Sequence, residues 1–311
     1  MNAWDPITPT TASASSSAGG ASGREAAFEA VRAAPAGSPP PTPVVFASPH
    51  SGALYPSEMM AAARLPEAVL KGSEDAYVDR LIAGAPSRGV ATIRSRLARS
   101  YIDLNRDPWE LDPAMFEDDA LPEFARGRTA RVAAGLGAIA RVADGRPIYA
   151  RKLTFEEAKA RVEYGHRPYH DMLDRLLAQA RAAHGLAVLI DWHSMPAAAT
   201  RGTRARVGGP CDIVLGDRFG AACAPGLTKL IEEALEGMGY RVARNSPYAG
   251  GYTTEHYGRP ARRTHALQVE ISRALYMNET TREPTEGLST LTAHVEQLTA
   301  LLTKADWTAL K

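Results

Sequence analysis

A chain of 311 residues with 45% hydrophobic and 23% charged side chains is long enough for one large α/β domain and can bury a core without cross-links. A formal net charge of +1 offers no basic field for nucleic acid, and no run approaches the roughly 18 apolar residues that cross a bilayer. Cys211 and Cys223 are too few for a secreted disulfide framework or a four-thiolate metal site, so a soluble, unexported, cytoplasmic protein is expected.

In chain order, residues 9–23 and 33–43 are rich in Ser, Ala, Gly and Pro, and the reading is a flexible extension over residues 1–42. REAAFEAVRAA, residues 24–34, predicts a short helix within it. A single domain is expected over residues 43–311. Apolar runs with turn punctuation predict strands at Val44–Ser48, Val90–Ile93, Pro147–Arg151, Leu186–Asp191, Asp212–Leu215, Tyr240–Ala243 and His265–Ser272. Helical patterns fall at Glu74–Ala85, Thr129–Val142, Thr154–Ala183, Pro225–Met238 and Glu286–Lys304. The third opens with Thr154 and Glu157 spaced as a capping box. This alternation predicts an α/β fold with a mostly parallel or mixed central sheet and flanking helices, its ligand crevice at the strand C-termini.

Four segments carry chemistry. VVFASPHSG delivers His50 just beyond a buried strand, and LAVLIDWHSMP does the same for His193. Two imidazoles so placed can converge on one sheet edge and are good zinc ligands. A catalytic zinc site usually adds a third protein ligand and keeps one position open, so a carboxylate is wanted. Asp75 is the candidate, with Glu74 and Asp79 as competitors that helix-start charge complementation would explain equally well. RLARSYIDLNRDP gathers Arg96, Arg99, Asp103, Asn105 and Arg106. That density suits either a carboxylate clamp with a carbonyl-polarising arginine or a surface ion-pair cluster. In THALQVEISRALYMNE, Glu270 interrupts an apolar run, where a carboxylate is costly unless it has work to do as a general base. Arg273 is its candidate partner or a substrate contact.

Other signals carry less. His166 and His170 have i, i+4 spacing, but Pro168 stands between them in place of the zincin pattern. GLGAIA at Gly135 lacks the preceding strand that dinucleotide binding needs. Ser51, Ser194 and Ser272 have no G-x-S-x-G context and read as turn or supporting residues. Tyr248, Tyr252, His256 and Tyr257 lie in a Gly-rich loop suited to closing over a ligand.

Taken in order, SPHSG, D-x-x-V-D-R-L from Asp75, DLNRDP, Pro168–His170, D-x-H-S-M-P from Asp191, D-I-x-L-G-D from Asp212, Gly250–Tyr252, and L-Q-V-E-I-S-R with L-Y-M resemble the N-formylglutamate amidohydrolase family. The resemblance implies a zinc-carboxypeptidase-like architecture. It also implies one Zn2+ held by His50, His193 and an acidic residue carried onto Asp75, with Glu74 as fallback. It assigns Glu270 as general base for a metal-activated water, Arg99 as carbonyl polariser with Arg96 as runner-up, and Asn105 with Arg106 as carboxylate clamp; Arg273 and Tyr252, read from their own segments, are the further candidate substrate contacts. The implied reaction is hydrolysis of N-formyl-L-glutamate to formate and L-glutamate, usually within histidine degradation; a small N-acyl amino acid is the expected partner. The carboxypeptidase H-x-x-E spacing is absent, because Ala53 stands three residues after His50.

Overall fold

A computed structural model of the chain describes residues 24–35, 37–117, 121–203, 205 and 209–308; the Ser/Ala/Gly-rich stretch 9–23 lies outside them. Seven strands form the central sheet: β1 (Phe28–Val31), β2 (Val44–Ser48), β3 (Ala91–Ser95), β6 (Ala187–Met195), β7 (Ile213–Gly216), β8 (Val242–Arg244) and β9 (Thr264–Ser272), in the order β1-β3-β2-β6-β9-β7-β8. Two short strands, β4 (Val142–Ala143) and β5 (Arg146–Pro147), make a separate hairpin through Asp144 and Gly145, both at positive φ. The central strands β3, β2, β6 and β9 are parallel to their neighbours, β1 runs antiparallel at one edge, and β7 with β8 runs antiparallel to β9 at the other. The fold is therefore α/β with a mixed sheet.

Both faces of the sheet are covered, which is why its inner strands read as unbroken apolar runs. Side chains alternate across it. Val45 and Ala47 of β2, with Ala187 and Leu189 of β6, pack under the helix Arg167–His184 through Leu173, Leu176 and Leu177. Val44, Phe46, Val188, Ile190 and Trp192 face the other way, onto the helices Pro225–Gly237 and Gly287–Lys304. The period of two then carries the first face of β6 from Leu189 to Asp191 and His193. Its partner β9 matches it, with Asp191 opposite Gln268 and His193 opposite Glu270. The apolar floor thus becomes polar at the C-terminal ends of two adjacent buried strands.

Several expectations need correction. The segment read as a helix within a flexible extension contains β1, which pairs with β3 from Phe28 opposite Ser95 to Val31 opposite Thr92. Helix propensity there yields to burial of Phe28 and Ala30 and to the Glu29–Arg94 ion pair at 2.8 Å. The sheet consequently begins before residue 43. The helix expected over Glu74–Ala85 is reduced to Val78–Leu81, since Tyr77 takes a left-handed conformation, φ 67°. That expected over Thr129–Val142 stops at Ala133, ahead of Gly135 at φ 80°. The strand expected at Pro147–Arg151 is confined to β5 and an isolated bridge between Ala63 and Tyr149. The run from Thr154 is helical and carries its capping box, but the turn Val162–His166 is a π-helix. That turn precedes Pro168, whose ring removes a backbone donor, so the chain adjusts the hydrogen-bond ladder instead of kinking apart. Among the described residues no helix is long and apolar enough to cross a membrane.

Candidate active site

The loop after β2 brings His50 against His193 of β6, and the His50 carbonyl accepts from the Asp75 N–H at 3.0 Å, which draws the loop carrying Asp75 to the same edge. All three side chains are buried. His193 Nδ1 lies 3.1 Å from His50 Nδ1 and 3.1 Å from Asp75 Oδ2, and His50 Nδ1 is 3.4 Å from the same oxygen. Each ring turns its other nitrogen to a buried carboxylate: His50 Nε2 to Asp103 Oδ1 at 2.7 Å and His193 Nε2 to Asp191 Oδ2 at 2.9 Å. A carboxylate only accepts, so each neutral imidazole is protonated at Nε2 and presents its Nδ1 lone pair to the cluster. Two lone pairs and a carboxylate oxygen then face one another. That donor set fits a metal ion, and among the described residues it is the one His/Cys/Asp/Glu group with that capacity.

When a proton rather than a metal ion supplies the positive charge, it sits on a ring Nδ1, and the electrostatics of that form mark the same position. Burial alone would lower the His193 pKa, but Asp191 and Asp75 outweigh it and raise it well above the usual imidazole range. Burial would likewise raise the Asp75 carboxyl, and hydrogen bonds from His193 and His50 hold it well below the carboxylate range. Glu74, the fallback ligand, points elsewhere: it accepts from the Tyr55 hydroxyl at 2.5 Å and pairs with Arg282 at 2.9 Å.

Glu270 stands beside the cluster, opposite His193 on β9, where Gln268 Nε2 donates to its Oε1 at 2.8 Å. Burial pushes its carboxyl up to about 7, against the pull of His193. These groups open into a cleft of about 380 Å³ that Arg99, Asn105, Arg106, Arg131, Tyr248 and Arg273 also line. Arg99 donates to Asp103 Oδ2 at 2.8 Å. Arg96 is turned away and pairs with Glu25 at 2.8 Å. Asn105 lies 3.3 Å from His193 Nε2 through its amide nitrogen, while its Oδ1 accepts from the Thr253 N–H at 2.8 Å. Gly251 permits this approach, because a Cβ there would collide with the Asn105 amide. Arg106 donates to the carbonyls of Leu136 and Asn105 at 3.1 and 2.9 Å. Arg273 reaches Asp75 Oδ1 at 3.1 Å and Ser194 Oγ at 3.0 Å, so its side chain braces the cluster from the cleft wall.

Tyr252 is outside the cleft lining. Its ring packs on His256, His170 and His166, with centroids 5.0, 5.2 and 5.6 Å away. The two helical histidines support the DLNRDP turn from behind: His170 Nε2 meets the Leu104 carbonyl at 2.8 Å and His166 Nε2 the Arg106 carbonyl at 2.9 Å. Those bonds flank Asn105. Sequence reading passed over Arg131, Gln268 and the backing role of Asp191. Gln268 and Asp191 carry a signal, the i, i+2 spacing to Glu270 and His193 on matched strands; Arg131, in an ordinary basic helical segment, carries none.

The family model described as N-formylglutamate amidohydrolase matches residues 42–277. The N-formylglutamate deformylase of Pseudomonas putida is 31% identical over 246 residues, 76% of this chain and 83% of that protein. The protein of the same name from Pseudomonas aeruginosa is 30% identical over 242 residues, with the same coverage. The crystal structure of N-formylglutamate amidohydrolase from Ralstonia eutropha JMP134 superposes with a TM-score of 0.81 at 38% identity, covering 90% of this chain and 98% of that one. The gene product Atu2144 from Agrobacterium tumefaciens shares the fold, with a TM-score of 0.61 at 19% identity over 89% of this chain and 95% of its own. With the family model spanning most of the sheet and every segment of the site, this chain belongs to the N-formylglutamate amidohydrolase family and is an amidohydrolase.

Proposed function

We propose that this chain is a zinc-dependent deformylase that hydrolyses N-formyl-L-glutamate to formate and L-glutamate. The observation that carries the reading is the convergence of His50 Nδ1, His193 Nδ1 and Asp75 Oδ2 beside Glu270, in a cleft rich in arginine. His50, Asp75 and His193 would hold the zinc; when bound, zinc supplies a Lewis acid and brings the pKa of water down to about 7. Glu270, with a carboxyl pushed up to about 7 by burial, is suited to accept a proton from the attacking water and pass it to the leaving amide nitrogen. Arg99, fixed by Asp103, presents its remaining N–H groups to the formyl oxygen as negative charge develops there. Asn105 and Arg106 take the substrate α-carboxylate. Arg273 acts by holding Asp75 in place, and Tyr252 acts from outside the cleft by packing on the histidines that support the turn.

The test is formate release from N-formyl-L-glutamate by purified protein, as isolated, after chelation, and after zinc is returned. Turnover should vanish on chelation and recover with zinc, and Glu270→Gln should lower kcat by about 10²–10⁴-fold. Turnover that survives complete metal removal, or an active Gln variant, overturns the assignment.

A further inference from the structure

Four guanidinium groups line the cleft, yet they are not equivalent. Arg99 and Arg273 each hold a cluster carboxylate, Asp103 at 2.8 Å and Asp75 at 3.1 Å. Arg106 spends its hydrogen bonds on two main-chain oxygens. Arg131, on the short helix Ala130–Ala133 whose start Thr129 caps, reaches across to the Gly250 carbonyl at 3.5 Å, a long contact to a neutral acceptor. Among the described residues it forms no ion pair. Arg106 and Arg131 line the same cleft, where burial lowers the Arg106 pKa, Asp103 opposes the fall and the Arg131 charge adds to it. An unpaired guanidinium next to a half-satisfied one, facing a cleft, is an arrangement that an incoming anion relieves.

An acidic N-acyl amino acid carries two carboxylates, one beside the scissile amide and one at the end of the side chain. The clamp of Asn105 and Arg106 is continuous with the cluster through Asn105 and accounts for the first. The second needs another cation from a different part of the wall. We infer that Arg131 is the specificity-determining residue that binds the side-chain carboxylate of the substrate, closing the cleft between its own helix and the loop at Gly250. The inference rests on the proposed deacylase reading and names the feature that makes the substrate acidic.

The experiment compares N-formyl-L-glutamate with N-formyl-L-glutamine, which differ at that carboxylate alone, in the wild type, Arg131→Gln and Arg131→Lys. Calorimetric binding of L-glutamate and L-glutamine to the same proteins runs in parallel. Arg131→Gln should cut the preference for the acid over the amide in kcat/KM by about tenfold or more, through KM. Arg131→Lys, which keeps the charge without the fork, should retain part of it. Equal losses on both substrates, as a merely structural arginine would give, overturn the inference while leaving the deformylase reading intact. If no formate is released by any variant, that reading fails and calorimetry decides: a wild type that binds L-glutamate no better than L-glutamine overturns the inference, and a preference that Arg131→Gln abolishes supports it.

Discussion

Asp191 shows how much of this site is done by residues one step removed from the ligand cluster. Its Oδ2 fixes His193 through Nε2, and its Oδ1 has no hydrogen-bond partner among the described residues although Asp191 is wholly buried. Such a carboxylate is costly unless it orients an imidazole and raises its basicity. On the proposed zinc reading, Asp191→Asn keeps the shape, removes the charge and should weaken zinc affinity by about 10–100-fold, read by competition with a chromogenic chelator. Unchanged affinity would reduce Asp191 to packing. His50, His193 and Glu270 were visible in the sequence because each interrupts or ends an apolar run. From the residue pattern alone Asp75 could not be separated from Glu74 or Asp79, since all three fall near the start of one expected helix. Only the tertiary contact with the His50 carbonyl turns Asp75 inward and leaves Glu74 to Tyr55 and Arg282.

Among elements, β2, β6 and β9 were legible because strands buried on both faces must be continuously apolar, whatever their neighbours. The edge strand β1 was not. The stretch AAFEAV satisfies a helix and an edge strand alike, and pairing with β3 decides between them. Phe28 is 5% exposed and packs edge-on against Tyr169 at 6.0 Å between ring centroids. Phe28→Ala should therefore cost about 3 kcal/mol in stability, read from the urea midpoint. A loss within about 0.5 kcal/mol, typical of a surface substitution, would return this segment to the status of a tail. The helices cut short near Tyr77 and Gly135 have a related cause. Their apolar positions lie outside the helix, Ile82 and Ala85 buried in the core and Leu136, Ala140 and Val142 on the cleft wall, so the 3.6-residue pattern persists where the backbone leaves the helix.

For the whole molecule, the three proposed ligands come from the loop after β2, the loop before the short helix Val78–Leu81, and β6, which meet only when the sheet is assembled. A metal bound there binds the folded chain and not the unfolded one. Zinc at 100 times its Kd should then add about 2.7 kcal/mol, so chelation should lower Tm by roughly 4 °C in calorimetry. A Tm indifferent to chelation would place the metal away from this cluster.

Readable along the chain were the inner strands, the α/β class, and the polar residues that interrupt or end apolar runs. Burial on two faces and the cost of a charge in an apolar run leave marks that need no neighbour to be read. The contact of Asp75 with the two histidines, the outward turn of Arg96, the position of Tyr252 outside the cleft lining and the lack of an ion pair to Arg131 among the described residues come from the assembled fold. Each depends on which side chain another segment of the chain brings within hydrogen-bonding distance, a property of through-space contact that spacing along the chain does not encode.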